Sequence, residues 1–110
     1  MAMTEAEFRT RCDEALERLN RALDAVIEQH DIEVTFQNNV LSVTVEAPNP
    51  GKIVISPQGP TRQIWISAQS TSFKLDWNGH AFVLSSSGET LNQLVSRFVA
   101  ELLDIEAVQL

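Results

Sequence analysis

The chain has 110 residues, 44% of them apolar and 21% charged, a balance that suits one soluble domain around one core. Its formal net charge of −7 argues against nucleic acid, whose phosphates it would repel, and suits cations or a basic protein surface. Nothing reads as a membrane span or a signal-peptide core, and the single cysteine, Cys12, rules out an internal disulfide and a cysteine-pair metal site.

The charge is concentrated at the start. Residues 1–33 hold nine acids (Glu5, Glu7, Asp13, Glu14, Glu17, Asp24, Glu28, Asp31 and Glu33) against four arginines, a balance of −5, and the rest of the chain balances at −2. Within that stretch, residues 4 to 29 read as one amphipathic helix. Phe8, Cys12, Ala15, Leu16, Leu19, Ala22, Leu23, Val26 and Ile27 recur at steps of three and four, with no Gly or Pro between them. Thr4 and Glu7 offer a capping box at its start. Cys12 lies on the apolar stripe and reads as a core thiol.

The period then falls to two, the alternation of a half-buried strand. Ile32, Val34 and Phe36 form one strand; Leu41, Val43 and Val45 form the next, across an Asn38-Asn39 hairpin turn. Pro48 to Gly51 reads as a loop, Ile53 to Ile55 as a strand, Pro57-Gln58-Gly59-Pro60 as a turn, and Arg62 to Ala68 as a strand. Phe73, Leu75 and Trp77 alternate in a fifth strand. Asn78-Gly79 turns the chain, and Ala81 to Leu84 closes the sheet. Thr90 with Gln93 caps a second helix whose stripe is Leu91, Leu94, Val95, Phe98, Leu102 and Leu103. The apolar tail is expected to fold back between the helices.

Helix, six strands and helix, joined by hairpin-length turns, predict an α+β fold spanning residues 1–110. Two helices cover one face of a mainly antiparallel sheet in a two-layer sandwich. The other face then shows Thr35, Ser42, Thr44, Gln63, Trp65 and Ser67. Trp65 opposes Ile64 and Ile66, so it is either an anchor for a partner or an aromatic covered by a loop.

No nucleophile and base combine into a catalytic set, so a binding module is the first expectation from chemistry. Asp13, Glu17, Asp24 and Glu28 share a flank about 60° wide at roughly 100° per residue. Carboxylate oxygens there suit hard or intermediate cations such as iron, manganese, calcium or magnesium. The same acids also read, and more simply, as a solvated face laced by the i,i+4 pairs Glu14–Arg18 and Glu17–Arg21. His30 reads as a helix-end residue and His80 as a turn residue.

The pattern resembles the frataxin family, its bacterial members in particular, over nearly the whole chain. The resemblance rests on the acidic helix leading into Asp31-Ile32-Glu33, on Gly51 to Ile55, and on Gln58-Gly59-Pro60 followed by Gln63-Ile64-Trp65-Ile66. Asp76-Trp77-Asn78-Gly79 and Ser87-Gly88-Glu89-Thr90-Leu91 complete it. It implies an accessory protein of iron–sulfur cluster assembly that binds ferrous and ferric iron weakly and docks on the cysteine desulfurase and scaffold machinery. It also implies a bacterial cytoplasmic setting, or a mitochondrial matrix one in a eukaryote. The protomer is expected to be a monomer, with oligomers in the presence of iron.

Carried over by position, the iron ridge is Glu7, Asp13, Glu14, Glu17, Asp24, Glu28, Asp31 and Glu33. The partner surface is Gln58, Arg62, Gln63 and Trp65. The family's adjacent carboxylate pairs are here Asn20-Arg21 and Asp24-Ala25, and Arg21 lowers the cation affinity of the flank. Ser56 and Phe82 stand where an Asn and a Trp are frequent in the family. The resemblance also allows ferroxidase activity at the ridge. A plain docking domain with no metal role is the third expectation.

Overall fold

The computed structural model describes residues 3–68, 70–108 and 110. In chain order the elements are α1 (Glu5–Gln29), β1 (Ile32–Gln37), β2 (Val40–Val45), β3 (Gly51–Gln58), β4 (Gln63–Ala68), β5 (Thr71–Trp77), β6 (Phe82–Leu84) and α2 (Leu91–Leu103). The six strands form one antiparallel meander in which spatial order equals chain order. The two helices lie on one of its faces, which is the predicted α+β sandwich.

Turn chemistry fixes the register. Asn38 and Asn39 both take positive φ (53° and 63°), as a two-residue hairpin requires, and they set Gln37 opposite Val40. Gly79 takes φ +100° in the β5–β6 turn, where Asn78 Oδ1 accepts from the backbone N–H of His80 and Ala81. With the register set, Leu41, Val43, Ile53, Ile55, Ile64, Ile66 and Leu75 all point to the helix side and lose all solvent contact. Leu16, Leu19, Leu23, Leu94 and Val95 meet them from the helices. Among the described residues, no polar or charged one is buried.

Both helix starts are capped. Thr4 Oγ1 accepts from Glu7 N (3.1 Å). At Thr90 the capping box is reciprocal: Gln93 N donates to Thr90 Oγ1 (3.2 Å), and Thr90 N donates to Gln93 Oε1 (3.0 Å). The tail folds back as expected in direction, with Val108 and Leu110 packed on the core. No helix among the described residues is long and apolar enough to cross a membrane.

Several expectations need correction. Pro57 and Gln58 belong to β3 rather than to the following turn, pairing with Ile64 and Gln63. Proline is tolerated there because β2 pairs with β3 only as far as Ile55, so the missing N–H faces a vacant side. The turn is Gly59 to Arg62, and Arg62 sits in it with φ 54° instead of opening β4. Ile27, placed on the apolar stripe of α1, is 41% exposed, because it lies at the edge of the stripe while its neighbour Val26 takes the buried side. β6 begins at Phe82, one residue later than read.

Candidate functional site

The sheet face turned away from the helices carries the most organised polar cluster. Strand alternation puts Ser56 and Gln58 of β3, Gln63, Trp65 and Ser67 of β4, and Lys74 and Asp76 of β5 on it. The register sets Trp65 between Ser56 and Lys74, and Gln63 between Gln58 and Asp76. Trp65 is half-buried by these neighbours, with its indole still reachable.

Its side chain is held on both sides. The indole Nε1–H donates to Gln63 Oε1 (3.0 Å), and Gln63 Nε2 donates to Asp76 Oδ1 (2.9 Å). The Lys74 ammonium lies 4.9 Å from the Trp65 ring centroid, a cation–π contact. Gln58 Nε2 donates to Ser56 Oγ at 3.4 Å, next to the indole. Arg62 curls back at the hairpin tip so that its guanidinium donates to the Gly59 carbonyl, and its Nε is buried without an acceptor. Gln58, Gln63 and Trp65 therefore form one patch, with Arg62 at its border. Lys74 and Asp76 belong to the patch and were missed by sequence reasoning. Both are the direct cross-strand partners of residues already singled out, so extending the alternation across the β4–β5 hairpin would have found them.

The acidic residues are more scattered. Glu17, Asp24 and Glu28 are exposed on one flank of α1, and Asp13 is half-buried there with its Oδ1 shielded from water and without a donor. Glu7 and Glu14 are turned roughly 100° or more away from Asp13 around the helix. Glu14 pairs with Arg11 (3.7 Å), not with Arg18. The expected Glu17–Arg21 pair is likewise absent from the ion pairs among the described residues, and within α1 Glu5–Arg9 (3.6 Å) is the i,i+4 pair that does form. Glu33 alternates with Ile32 and Val34, which puts it on the open face of β1, and Asp31 is exposed just before it. The predicted ridge is thus divided between the helix layer and the sheet layer. Among the described residues, no three His, Cys, Asp or Glu side chains converge as a metal-holding group. Separate hard oxygen donors of this kind would hold a cation only loosely, without enclosing it.

Cys12 is 1% exposed in the core. Burial, with a smaller contribution from the neighbouring Asp13 carboxylate, pushes its thiol up to about 12. It is neither a nucleophile nor a thiolate ligand in the folded chain.

Residues 1–105 match the family model described as a Frataxin-like domain. Among curated proteins, the chain is 30% identical over 103 residues to the iron-sulfur cluster assembly protein CyaY of Azotobacter vinelandii, covering 92% of this chain and 90% of that one. It is 31% identical over 106 residues to the protein of the same name from Ralstonia nicotianae, covering 94% and 92%. Among solved structures, the frataxin of Psychromonas ingrahamii superposes with a TM-score of 0.84 over 97% of both chains, at 19% identity. That last likeness concerns the fold; the match over nearly the whole sequence settles descent, and the chain belongs to the frataxin family.

Proposed function

We propose that this protein is an accessory factor of iron–sulfur cluster assembly that works by docking. The open sheet face is its docking surface, and the cysteine desulfurase with its scaffold protein is the partner. The observation that carries this reading is the immobilised Trp65 on an uncovered sheet face, in a chain whose curated relatives are named for cluster assembly. A large aromatic already fixed by Gln63 and Lys74 loses little side-chain freedom on binding, which is what an interface anchor needs.

The acidic flank of α1 takes the second role. Asp13, Glu17, Asp24 and Glu28, continued by Asp31 and Glu33, associate weakly with ferrous or ferric iron as cargo, or with a basic patch of the partner. Ferroxidase catalysis would need a fixed, open metal site. With donors spread along one flank, oxygen uptake in the presence of ferrous iron is expected at the uncatalysed rate.

The test is an amide NMR titration of the labelled protein, first with anaerobic ferrous iron and then with purified desulfurase. Selective shifts at Asp13, Glu17, Asp24 and Glu28 with iron, and at Gln63, Trp65 and Lys74 with the enzyme, are the expected result. Enzyme-induced shifts without iron-induced ones would leave docking and remove the iron role. No shift with either would overturn the reading.

A further inference from the structure

Away from both surfaces, a cleft of about 240 Å³ opens where the first half of α1, the β5–β6 turn and the start of α2 meet. Its floor is apolar and aromatic. Trp77 and Phe82 pack at 5.1 Å between ring centroids, and Ala15 and Leu91 extend the floor to either side. Its rim carries two arginines against one carboxylate, in a chain where acids outnumber bases by 15 to 8. Arg11 and Arg18, seven residues apart on the same side of α1, both line it together with Glu14, and His80 lines it from the turn. Arg11 lies 5.4 Å from the Trp77 ring centroid, which holds the guanidinium at the cleft edge.

The charges do not cancel. Glu14 offsets Arg11 at 3.7 Å, yet Arg18 has no carboxylate within 4.0 Å among the described residues, although Glu14 and Glu17 are its near neighbours on the helix. The first turn of α2 carries no acidic residue, and its leading amides, at Leu91 and Asn92, have no acceptor within the helix. An unpaired guanidinium beside an aromatic floor is a combination that solubility does not require, because the surrounding surface is already strongly charged. We propose that this cleft binds a small amphipathic oxyanion. A carboxylate or phosphate head meets Arg18, with the α2 amides in support, and a flat apolar body lies on Trp77, which the buried Phe82 backs from the core. The cleft is separate from the Trp65 face, so it stands or falls independently of the docking role.

Phenyl phosphate is a suitable probe, with benzoate as the carboxylate arm and inorganic phosphate as the bare ion. Trp65→Phe leaves Trp77 as the sole tryptophan, so its emission reports the cleft directly. Amide shifts of Ala81, Leu91 and Asn92 in the unsubstituted chain report the same event without any substitution. Saturable changes in the low-millimolar range or tighter are expected with phenyl phosphate or benzoate. Arg18→Gln should weaken binding about tenfold, the loss of one charge-assisted contact, with melting temperature unchanged. Arg21→Gln, outside the cleft, should leave binding as it was. The proposal is overturned if neither aryl probe saturates, if both arginine substitutions weaken binding equally, or if inorganic phosphate binds as tightly as phenyl phosphate.

Discussion

Cys12 and Trp65 show how far one side chain can be read from position alone. Cys12 falls on the apolar stripe of α1 and is buried as that stripe predicts, so its thiol is silent. A thiol reagent at pH 8 should modify it no faster than the chain unfolds, and adding denaturant should release the full reaction. The raised pKa also has a sign. Above about pH 9 the unfolded chain loses this proton while the folded chain keeps it until about pH 12. Stability should therefore fall by up to about 1.4 kcal/mol per pH unit in that window. Cys12→Ser should flatten that slope in urea melts taken between pH 8 and 11. Trp65 is the opposite case. Alternation put it on the open face, but only the register of β3 and β5 shows what holds it there. Trp65→Ala should cost roughly 2 kcal/mol or more of partner binding while shifting the melting temperature little. A large drop in melting temperature with unchanged binding would make it a structural residue.

At the scale of elements, α1 and the two hairpins with Asn at the turn were legible because period and turn residues agreed. β3 was read too short because Pro57 signals a turn wherever a strand has neighbours on both sides. Here β2 stops early, and only the assembled sheet reveals that. Arg62 was misplaced for a related reason: unlike Asn38 and Asn39, an arginine carries no local preference for positive φ. The basic cleft was invisible because its parts lie far apart in sequence, although the shared side of Arg11 and Arg18 could have been noticed on a helical wheel. The start of α2 was legible in Thr90 and Gln93, and the structure adds a brace. Arg97 donates from Nε and Nη2 to Glu89, both bonds 3.0 Å, and Ser87 Oγ donates to the same carboxylate (2.9 Å). The Arg97 guanidinium holds the Glu89 carboxyl below its ordinary pKa. Its stabilisation is thus present above about pH 4.5 and is lost as pH falls through the lowered value. Arg97→Ala should cost at most about 1 kcal/mol at pH 7, since both groups are partly exposed, and nothing further at pH 2. Thr90→Ala should cost about 1 kcal/mol at either pH, because its cap carries no charge. Urea denaturation at the two pH values separates them.

Taken whole, the molecule is a sheet in which every strand pairs only with its neighbours in sequence, and that simplicity is why its architecture could be predicted. The same order leaves the sheet open, with β1 and β6 at its two ends. β6 is three residues long and offers little to pair with; β1 is six, rich in β-branched and aromatic residues, and offers much more. Asp31 stands just before that strand, and Glu33 is its second residue. Two negative charges at a free edge make a second copy of β1 an unfavourable neighbour. A Glu33→Val chain should melt at nearly the parent temperature yet form thioflavin-positive aggregates on prolonged incubation at neutral pH, where the parent stays clear. Part of the acidity of this protein then guards it against its own kind.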